Sequence, residues 1–534
     1  MDKVQVYDTT LRDGNQAEGV SFSVHDKVLI AQRLDEIGVD YIEGGWPNEG
    51  NPRDQDFFRA IRDVPLQHAI MTAFGSTRRG SVAPEEDANL RFLLEAETPA
   101  VALFGKTWAL HATEVLRVSL EENLRMIEDS VAYLAAHGRE VIYDAEHFFD
   151  GFAADSEYAL ETLGAALRGG ARTIVLCDTN GGTMPLRAAE AISAVREHLG
   201  AEADGLTLGI HAHNDAGMAA ATSQIAVELG CRQVQGTING YGERCGNANL
   251  CTLIPNLELK GGFQCLPEGR LGQLTELSRF VSELTNLPHD ERQPYVGGSA
   301  FAHKGGTHVD AVRKVPASFE HVLPESVGNT RRFLLSDQAG GSTIVSKMVR
   351  LRPDLDKRSP EVRAILSEVK ELENQGYQFE AAEASFELLA EKALGTRRHL
   401  WDTLDYRVVV QRHTDGRVSA DASVRVQVNG VEIWEAAEGN GPINALDQAL
   451  RKALASRYPE LANIELADYK VRVLDAHAGT RAAVRVLIRS TDGEAEWGTV
   501  GADENVIEAS WQALTDSVEY GLRRARQRQQ EPQA

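Results

Sequence analysis

A chain of 534 residues with a formal net charge of −24 is too long for a single hydrophobic core and too acidic to favour a nucleic acid or an anionic membrane surface as partner. Its ordinary hydrophobic and charged fractions describe a soluble globular protein of about three domains. Five cysteines without a Cys-x-x-Cys pair argue against a disulfide framework, and with no apolar leader and no run near ~20 apolar residues the expected location is the cytoplasm.

The first half repeats one pattern: a short apolar or β-branched run, a polar Gly-rich loop, then a stretch with helical period. The runs are 4–7, 41–43, 69–74, 101–104, 141–145, 173–177, 206–210 and 234–238, with helices such as 24–37, 120–137 and 217–229 between them. Eight strand–helix units in roughly 250 residues predict an α/β fold, a (β/α)8 TIM barrel with its chemistry on the loops after the strands. An open doubly wound sheet is the rival. It is disfavoured because polar, Gly-rich segments follow nearly every strand and no Gly-x-Gly-x-x-Gly opens the first helix.

On that plan each strand end offers candidates. After the first, Arg12-Asp13-Gly14-Asn15-Gln16 is either a solvated turn or a loop in which Asp13 ligates a metal and Arg12 faces an oxygen that becomes negative. Glu43 ends the second strand, as a site carboxylate or a structural partner of Arg12, and Lys106 after the fourth offers a cation to an anionic substrate. Glu146 after the fifth is placed to orient or deprotonate a reactant, and Thr179 after the sixth to hold a substrate carboxylate; both are weighed against plain loop hydrogen bonding. After the seventh, His211-Ala212-His213 puts two imidazoles on one face of a strand as it leaves the sheet. That is a chelating pair if a carboxylate joins it, and two surface histidines otherwise. At the eighth, Gly242-Glu243-Arg244-Cys245-Gly246-Asn247 runs into a helix, where glycines either admit a ligand close to the backbone or make a tight turn, and where Asn247 reaches a metal directly or through water. An Asp/His2 set with open positions suits Mn, Zn, Co or a weakly held Mg.

Beyond the barrel, 271–286 is helical, a Gly-rich segment spans 297–310, Ser359-Pro360 opens a charged helix to 372, and 379–394 is amphipathic. From Trp401 the pattern becomes three alternating strands (406–410, 423–428, 431–435) and a helix (442–454), repeated as strands 469–474, 483–488 and 496–500 and a helix 504–524. An internally duplicated βββα unit is therefore expected, an α+β module for dimerisation or effector binding, ending in a frayed basic tail, 523–534. The domains expected are a catalytic barrel, 1–270, linker subdomains, 271–400, and a regulatory module, 401–534.

The three motifs around Arg12-Asp13, His211-x-His213-Asn214-Asp215 and Gly242-Glu243-Arg244-x-Gly246-Asn247 together resemble the signatures of the metal-dependent 2-isopropylmalate, homocitrate and citramalate synthases. That family shares its barrel with hydroxymethylglutaryl-CoA lyases and carboxyltransferase domains. Segments 41–47, 51–52, 144–151 and 376–382 most resemble its longer, citramalate-forming members. The resemblance implies a Claisen condensation of acetyl-CoA with pyruvate, then thioester hydrolysis to (R)-citramalate and CoA, on a route to isoleucine. Asp13, His211 and His213, with Asn247 near them, would hold the metal; Arg12, Glu43 and Thr179 would meet the 2-oxo acid; Gly242, Glu243 and Gly246 would lie against the CoA co-substrate. It also implies that His308 and Asp310, on a linker over the barrel mouth of a partner subunit, join Glu146 in enolisation or hydrolysis, with His303 standing aside. A homodimer or higher homo-oligomer, inhibited by isoleucine at the C-terminal module, completes the picture. Pyruvate and 2-oxoisovalerate differ by two methyl groups, each worth ~1–3 kcal/mol of discrimination, so the metal motifs leave 2-isopropylmalate and homocitrate synthesis open. The long linker and duplicated module disfavour a lyase, and intact Arg12, Asp13, His211 and His213 disfavour a catalytically dead amino-acid sensor.

Overall fold

The computed structural model describes residues 1–200, 205–335, 339–349, 352–474, 479 and 481–530. Eight parallel strands, β1 (Gln5–Asp8), β2 (Tyr41–Gly45), β3 (Ile70–Ser76), β4 (Ala100–Lys106), β5 (Glu140–Glu146), β6 (Thr173–Asp178), β7 (Thr207–Ala212) and β8 (Gln233–Gly236), pair in chain order. β8 returns to β1 with Gln5 beside Gln233 and Asp8 beside Gly236, which closes the barrel. Between and after the strands run α1 (Val24–Ile37), α2 (Pro52–Ile61), α3 (Ala88–Glu95), α4 (Leu120–Ala136), α5 (Phe148–Ala154), α6 (Ser156–Gly169), α7 (Pro185–Leu199), α8 (Ala219–Glu228), α9 (Leu250–Leu259) and α10 (Leu274–Thr285). The helices start where side chains satisfy free N–H groups: Ser23 and Asp26 form a reciprocal capping box on α1, and Asp87, Ser119 and Asp155 cap α3, α4 and α6. Gly38 ends α1 in the left-handed conformation.

Alternation along the strands sorts side chains between two cores. Outward residues such as Val6, Ile42, Leu103, Leu176 and Ile210 pack against the helices, whereas Tyr7, Tyr41, Phe74, Ala102, Ile142 and Val175 fill the barrel interior. The expected strands all form, most of them a residue or two longer; the eighth is shorter and stops at Gly236, beyond which Thr237 N donates to the Ala248 carbonyl of the returning loop and a 3-10 turn, Ile238–Gly240, begins.

The expected break at residue 270 is not a break in the packing. Leu271, Leu274, Leu277, Val281, Tyr295, Val296 and Phe301 all join the outer barrel core. The chain thus forms two compact units, 1–301 with 321–331, and 302–320 with 332–534. The second contains the short parallel pair β9 (Ala302–His303) and β10 (Arg332–Phe333), then helices α11 (Gly306–Lys314), α12 (Gly341–Met348), α13 (Pro360–Asn374) and α14 (Glu383–Ala393). The duplicated module follows: β11 (Asp402–Arg412), β12 (Val418–Val428), β13 (Val431–Gly439) and α15 (Pro442–Ala455), then β14 (Glu465–Val473), β15 (Val484–Thr491), β16 (Glu496–Asp503) and α16 (Val506–Gln530). Each triplet is an antiparallel sheet in chain order.

The tail expected to fray from 523 is instead the last turns of α16 as far as Gln530, because its basic residues are held: Arg523 pairs with Glu391, and Arg524 and Arg528 each lie 3.3 Å from Asp492. The last four positions of that expectation, 531–534, lie outside the described residues. Among the described residues no helix is long and apolar enough to cross a membrane.

Candidate metal centre and active site

The three motifs separated in sequence meet at the C-terminal rim of the barrel. His211 faces inward one residue before the end of β7, and the chain continues to His213, where an antiparallel bridge to Asn247 and hydrogen bonds from Asn214 N to Gly246 O (2.8 Å) and Ala248 N to Ala212 O (2.9 Å) pin the loop after β8 alongside. Asp13 comes from the turn after β1. One ligand atom from each of Asp13, His211 and His213 lies within 4.8 Å of the others, and all three residues are buried. Asp13 Oδ2 stands 3.3 Å from His211 Nε2 and 3.9 Å from His213 Nε2, and accepts from Asn247 Nδ2 at 2.8 Å. Asn247 Oδ1 is buried with no partner, and so is His213 Nδ1. A buried carboxylate and two imidazoles at one point form a donor set that fits a divalent transition metal, and the Asn247 side chain lies against it through Nδ2, 2.8 Å from Asp13 Oδ2 and 3.2 Å from His211 Nε2.

Arg12 lies beside this cluster, its guanidinium 3.8 Å from the centre of the Phe74 ring, Nε on Glu43 Oε1 at 2.6 Å and NH1 3.3 Å from Asp13 Oδ2. Tyr7 OH donates to the other Glu43 oxygen at 2.6 Å, so Glu43 is the structural partner of Arg12 rather than a group facing the cavity. The cavity is lined by Arg12, Asp13, Phe74, Phe104, Asp144, Glu146, Cys177, Thr179, His211 and His213. Phe74 and Phe104 stack at 5.1 Å with the Trp46 ring edge-on to both, forming an apolar wall. Lys106 pairs with Glu146. Thr179 Oγ1 accepts from the His147 backbone N–H at 2.9 Å, which leaves its hydroxyl proton for another acceptor.

Charge is out of balance here. Asp13, Asp144 and Glu146 line a space supplied with cations by Arg12 and Lys106, and Glu43 behind Arg12 adds a further negative charge. Burial, then repulsion from Glu43, raises Asp144 above the ordinary carboxylate range, while the His211 and Arg12 charges and the Gln235 hydrogen bond favour its ionised form. Burial would raise Asp13 as well, but the Arg12 charge and the His211 hydrogen bond outweigh it and hold that carboxyl well below the usual range. Burial and the neighbouring His211 lower His213 to about 4, which leaves a neutral imidazole at neutral pH, the form that binds metals. Burial raises the Cys177 thiol far above its ordinary value, so it lines the cavity as an inert small hydrophobe.

The HMGL-like family matches residues 3–281, the homocitrate synthase post-HMGL domain-like family 295–377, and the LeuA allosteric (dimerisation) domain 380–522. An (R)-citramalate synthase from Geobacter sulfurreducens is 54% identical over 98% of this chain and 98% of its own length, and one from Aquifex aeolicus is 53% identical over the same shares. The chain belongs to the (R)-citramalate synthase family. A 2-isopropylmalate synthase from Listeria welshimeri is more distant, at 30% identity over 96% of each chain.

In this family member the remaining expected residues are distributed as follows. Gly242 and Gly246 take positive φ, and a Cβ on Gly242 would sit 1.9 Å from Asn247 Oδ1, so these glycines hold Asn247 against the metal cluster. Glu243 is exposed beside Arg244, whose guanidinium clamps Asp215 at 2.8 and 2.9 Å and reaches the Thr179 carbonyl at 2.8 Å. His308 and Asp310 lie on α11 of the second unit. His308 is exposed and stacks on Phe319 at 4.2 Å; Asp310 accepts from Lys314, Lys357 and Ser342, which hold its carboxyl well below the ordinary value. His303 pairs with Glu320 at 3.0 Å. Sequence reasoning passed over Asp144, Gln235, Phe74 and Phe104. The signal for Gln235 was present: Gln233 and Gln235 sit two apart, polar, in a strand otherwise destined for a dry interior.

Proposed function

We propose that the chain condenses pyruvate with acetyl-CoA and hydrolyses the resulting thioester, releasing (R)-citramalate and CoA. The observation that carries this reading is the likeness at 46–54% identity, along nearly the whole chain, to five (R)-citramalate synthases. A divalent ion such as Mn, Zn, Co or Mg at Asp13, His211 and His213, with Asn247 beside it, would polarise the oxo group and offset the carboxylate excess of the cavity. Arg12, oriented by Glu43 and Phe74, faces the oxygen that takes up negative charge as the acetyl methyl carbon bonds to the oxo carbon. Thr179 donates its free hydroxyl proton to the pyruvate carboxylate. Glu146 takes the methyl proton, assisted by His308 and Asp310, which the family resemblance gives to the barrel mouth of a partner subunit. Water then attacks the thioester carbonyl, the C–S bond breaks, and CoA leaves as the thiol, which makes the sequence effectively one-way.

Phe74 and Phe104, backed by Trp46, give the cavity an apolar side that suits the methyl group of pyruvate. The loop carrying Gly242, Glu243 and Gly246 is assigned to the CoA side of the cavity. The LeuA-type module supports a homodimer under allosteric control, for which isoleucine is the inhibitor we assign, and the four buried free thiols suit a reducing cytoplasm. The test is thiol release from acetyl-CoA with pyruvate, 2-oxobutyrate, 2-oxoisovalerate and 2-oxoglutarate in turn, with and without chelator, isoleucine or leucine. Pyruvate should give the highest kcat/KM, chelator should abolish it, and isoleucine should inhibit. No thiol from pyruvate, with turnover of 2-oxoisovalerate instead, would replace this reading by 2-isopropylmalate synthesis.

A further inference from the structure

His211 and Gln235 are cross-strand neighbours on β7 and β8, and Asp144 reaches them from β5 inside the barrel. His211 Nδ1 is 2.9 Å from Gln235 Oε1, and Gln235 Nε2 donates to Asp144 Oδ1 at 3.1 Å. All three side chains are buried, with Gln235 at 0% exposure. We infer that Asp144 and Gln235 form a polarity lock that keeps His211 in the tautomer able to ligate a metal. The inference rests on the metal reading above and names two positioning residues for it.

The logic follows from what each group is able to offer. A carboxylate oxygen accepts, so Asp144 Oδ1 draws the donor end of the Gln235 amide and turns the acceptor end toward His211. A carbonyl oxygen cannot donate, so the proton of a neutral His211 must sit on Nδ1, and Nε2 keeps its lone pair toward Asp13 and Asn247. The reversed amide would set oxygen against oxygen at Asp144 and point an N–H at Nδ1, leaving the proton on Nε2, where a metal could not bind. Electrostatic repulsion at Asp144 therefore selects the ligating face of an imidazole with which it shares no hydrogen bond. The second histidine has no such device among the described residues, since His213 Nδ1 lacks a hydrogen-bond partner.

The experiment titrates Co2+ alone into metal-free full-length protein and follows the visible absorption of the bound ion, a readout independent of turnover. Gln235→Leu keeps the volume but removes the acceptor, and should weaken Co2+ binding about 10–100-fold. Gln235→Glu keeps an acceptor toward Nδ1, its other oxygen meeting Asp144 through a shared proton, and should stay much closer to wild type than Gln235→Leu. Asp144→Asn replaces an acceptor-only group by one that presents either end, and should also weaken binding. A purely structural role would lower the denaturation midpoint of these variants without this ranking. Wild-type affinity in Gln235→Leu, or equal loss in Gln235→Glu, overturns the lock; should Gln235→Leu fail to fold, unchanged affinity in Asp144→Asn overturns it. Wild-type protein that takes up no Co2+ at all overturns the metal reading, and the lock with it.

Discussion

Arg12 is where the charges of the cavity converge, and its role depends on shape as much as on sign. The planar guanidinium stacks on Phe74 while one edge is bound by Glu43, a geometry an ammonium cannot copy. Arg12→Lys should lower kcat for thiol release by about 10²–10³ while leaving Co2+ affinity close to wild type, as steady-state kinetics beside a metal titration will report. Asp13→Ala should abolish both turnover and Co2+ binding with the far-ultraviolet circular dichroism unchanged. Asp8, fully buried at the end of β1, accepts from Thr10 N and Oγ1, yet burial lifts its pKa to about 7. The folded state therefore holds a proton that the unfolded chain releases near 3.8. The stability this contributes is complete below that value and is lost as pH rises through about 7, an effect of up to roughly 4 kcal/mol. Unfolding of the metal-free protein in urea should show stability falling from pH 5 to 8, and Asp8→Asn should flatten that slope.

At the level of elements, the rim of β2 is held from outside the barrel. Lys27 on α1, fully buried, donates to Gly44 O at 2.9 Å and to Asp54 of α2 at 2.5 Å, and Asp54 also accepts from Trp46 N at 2.8 Å. One ion pair thus ties two helices to the strand that carries Glu43. Removing one partner of a buried pair leaves an uncompensated charge, so Lys27→Met should cost about 3–5 kcal/mol in chemical denaturation. Gly236 matters in a different way. Its missing Cβ lets β8 lie against the returning loop at Ala248, so Gly236→Ala should displace Asn247 from Asp13 and weaken Co2+ binding, beyond the ~1–3 kcal/mol that overpacking costs the fold.

Across the whole molecule, the second unit shows how a duplicated module is joined to the helices before it. Val500 of β16 belongs to the same core as Phe379, Phe386 and Leu389, with Leu487 packed against it, and Arg485 Nε donates to the Gly376 carbonyl at 2.5 Å. A Cβ on Gly498 would meet the Ala381 carbonyl at 2.0 Å, so that contact is backbone to backbone. A chain cut after residue 400 leaves the core of α12, α13 and α14 uncovered. It should bind a hydrophobic dye and melt at a lower temperature than the full-length protein, as a thermal scan will measure.

How much of this was legible beforehand follows from the range of each signal. Alternation and helical period are local, so the eight strands, the helices between them and the βββα duplication could be read from the chain itself; so could His211-x-His213, because chelating spacing on one strand is also local. Three things required the folded molecule. Whether residues 271–301 belong to the barrel depends on which surface Leu274 and Val281 meet, and an amphipathic helix does not name its partner. Whether α16 frays depends on Asp492 and Glu391 lying within reach of its arginines. That Asp144 and Gln235 stand behind His211 depends on β5 and β8 facing the same interior, a relation created only by closure of the barrel, since hydrogen-bond direction passes between side chains in space and leaves no periodic trace along the chain.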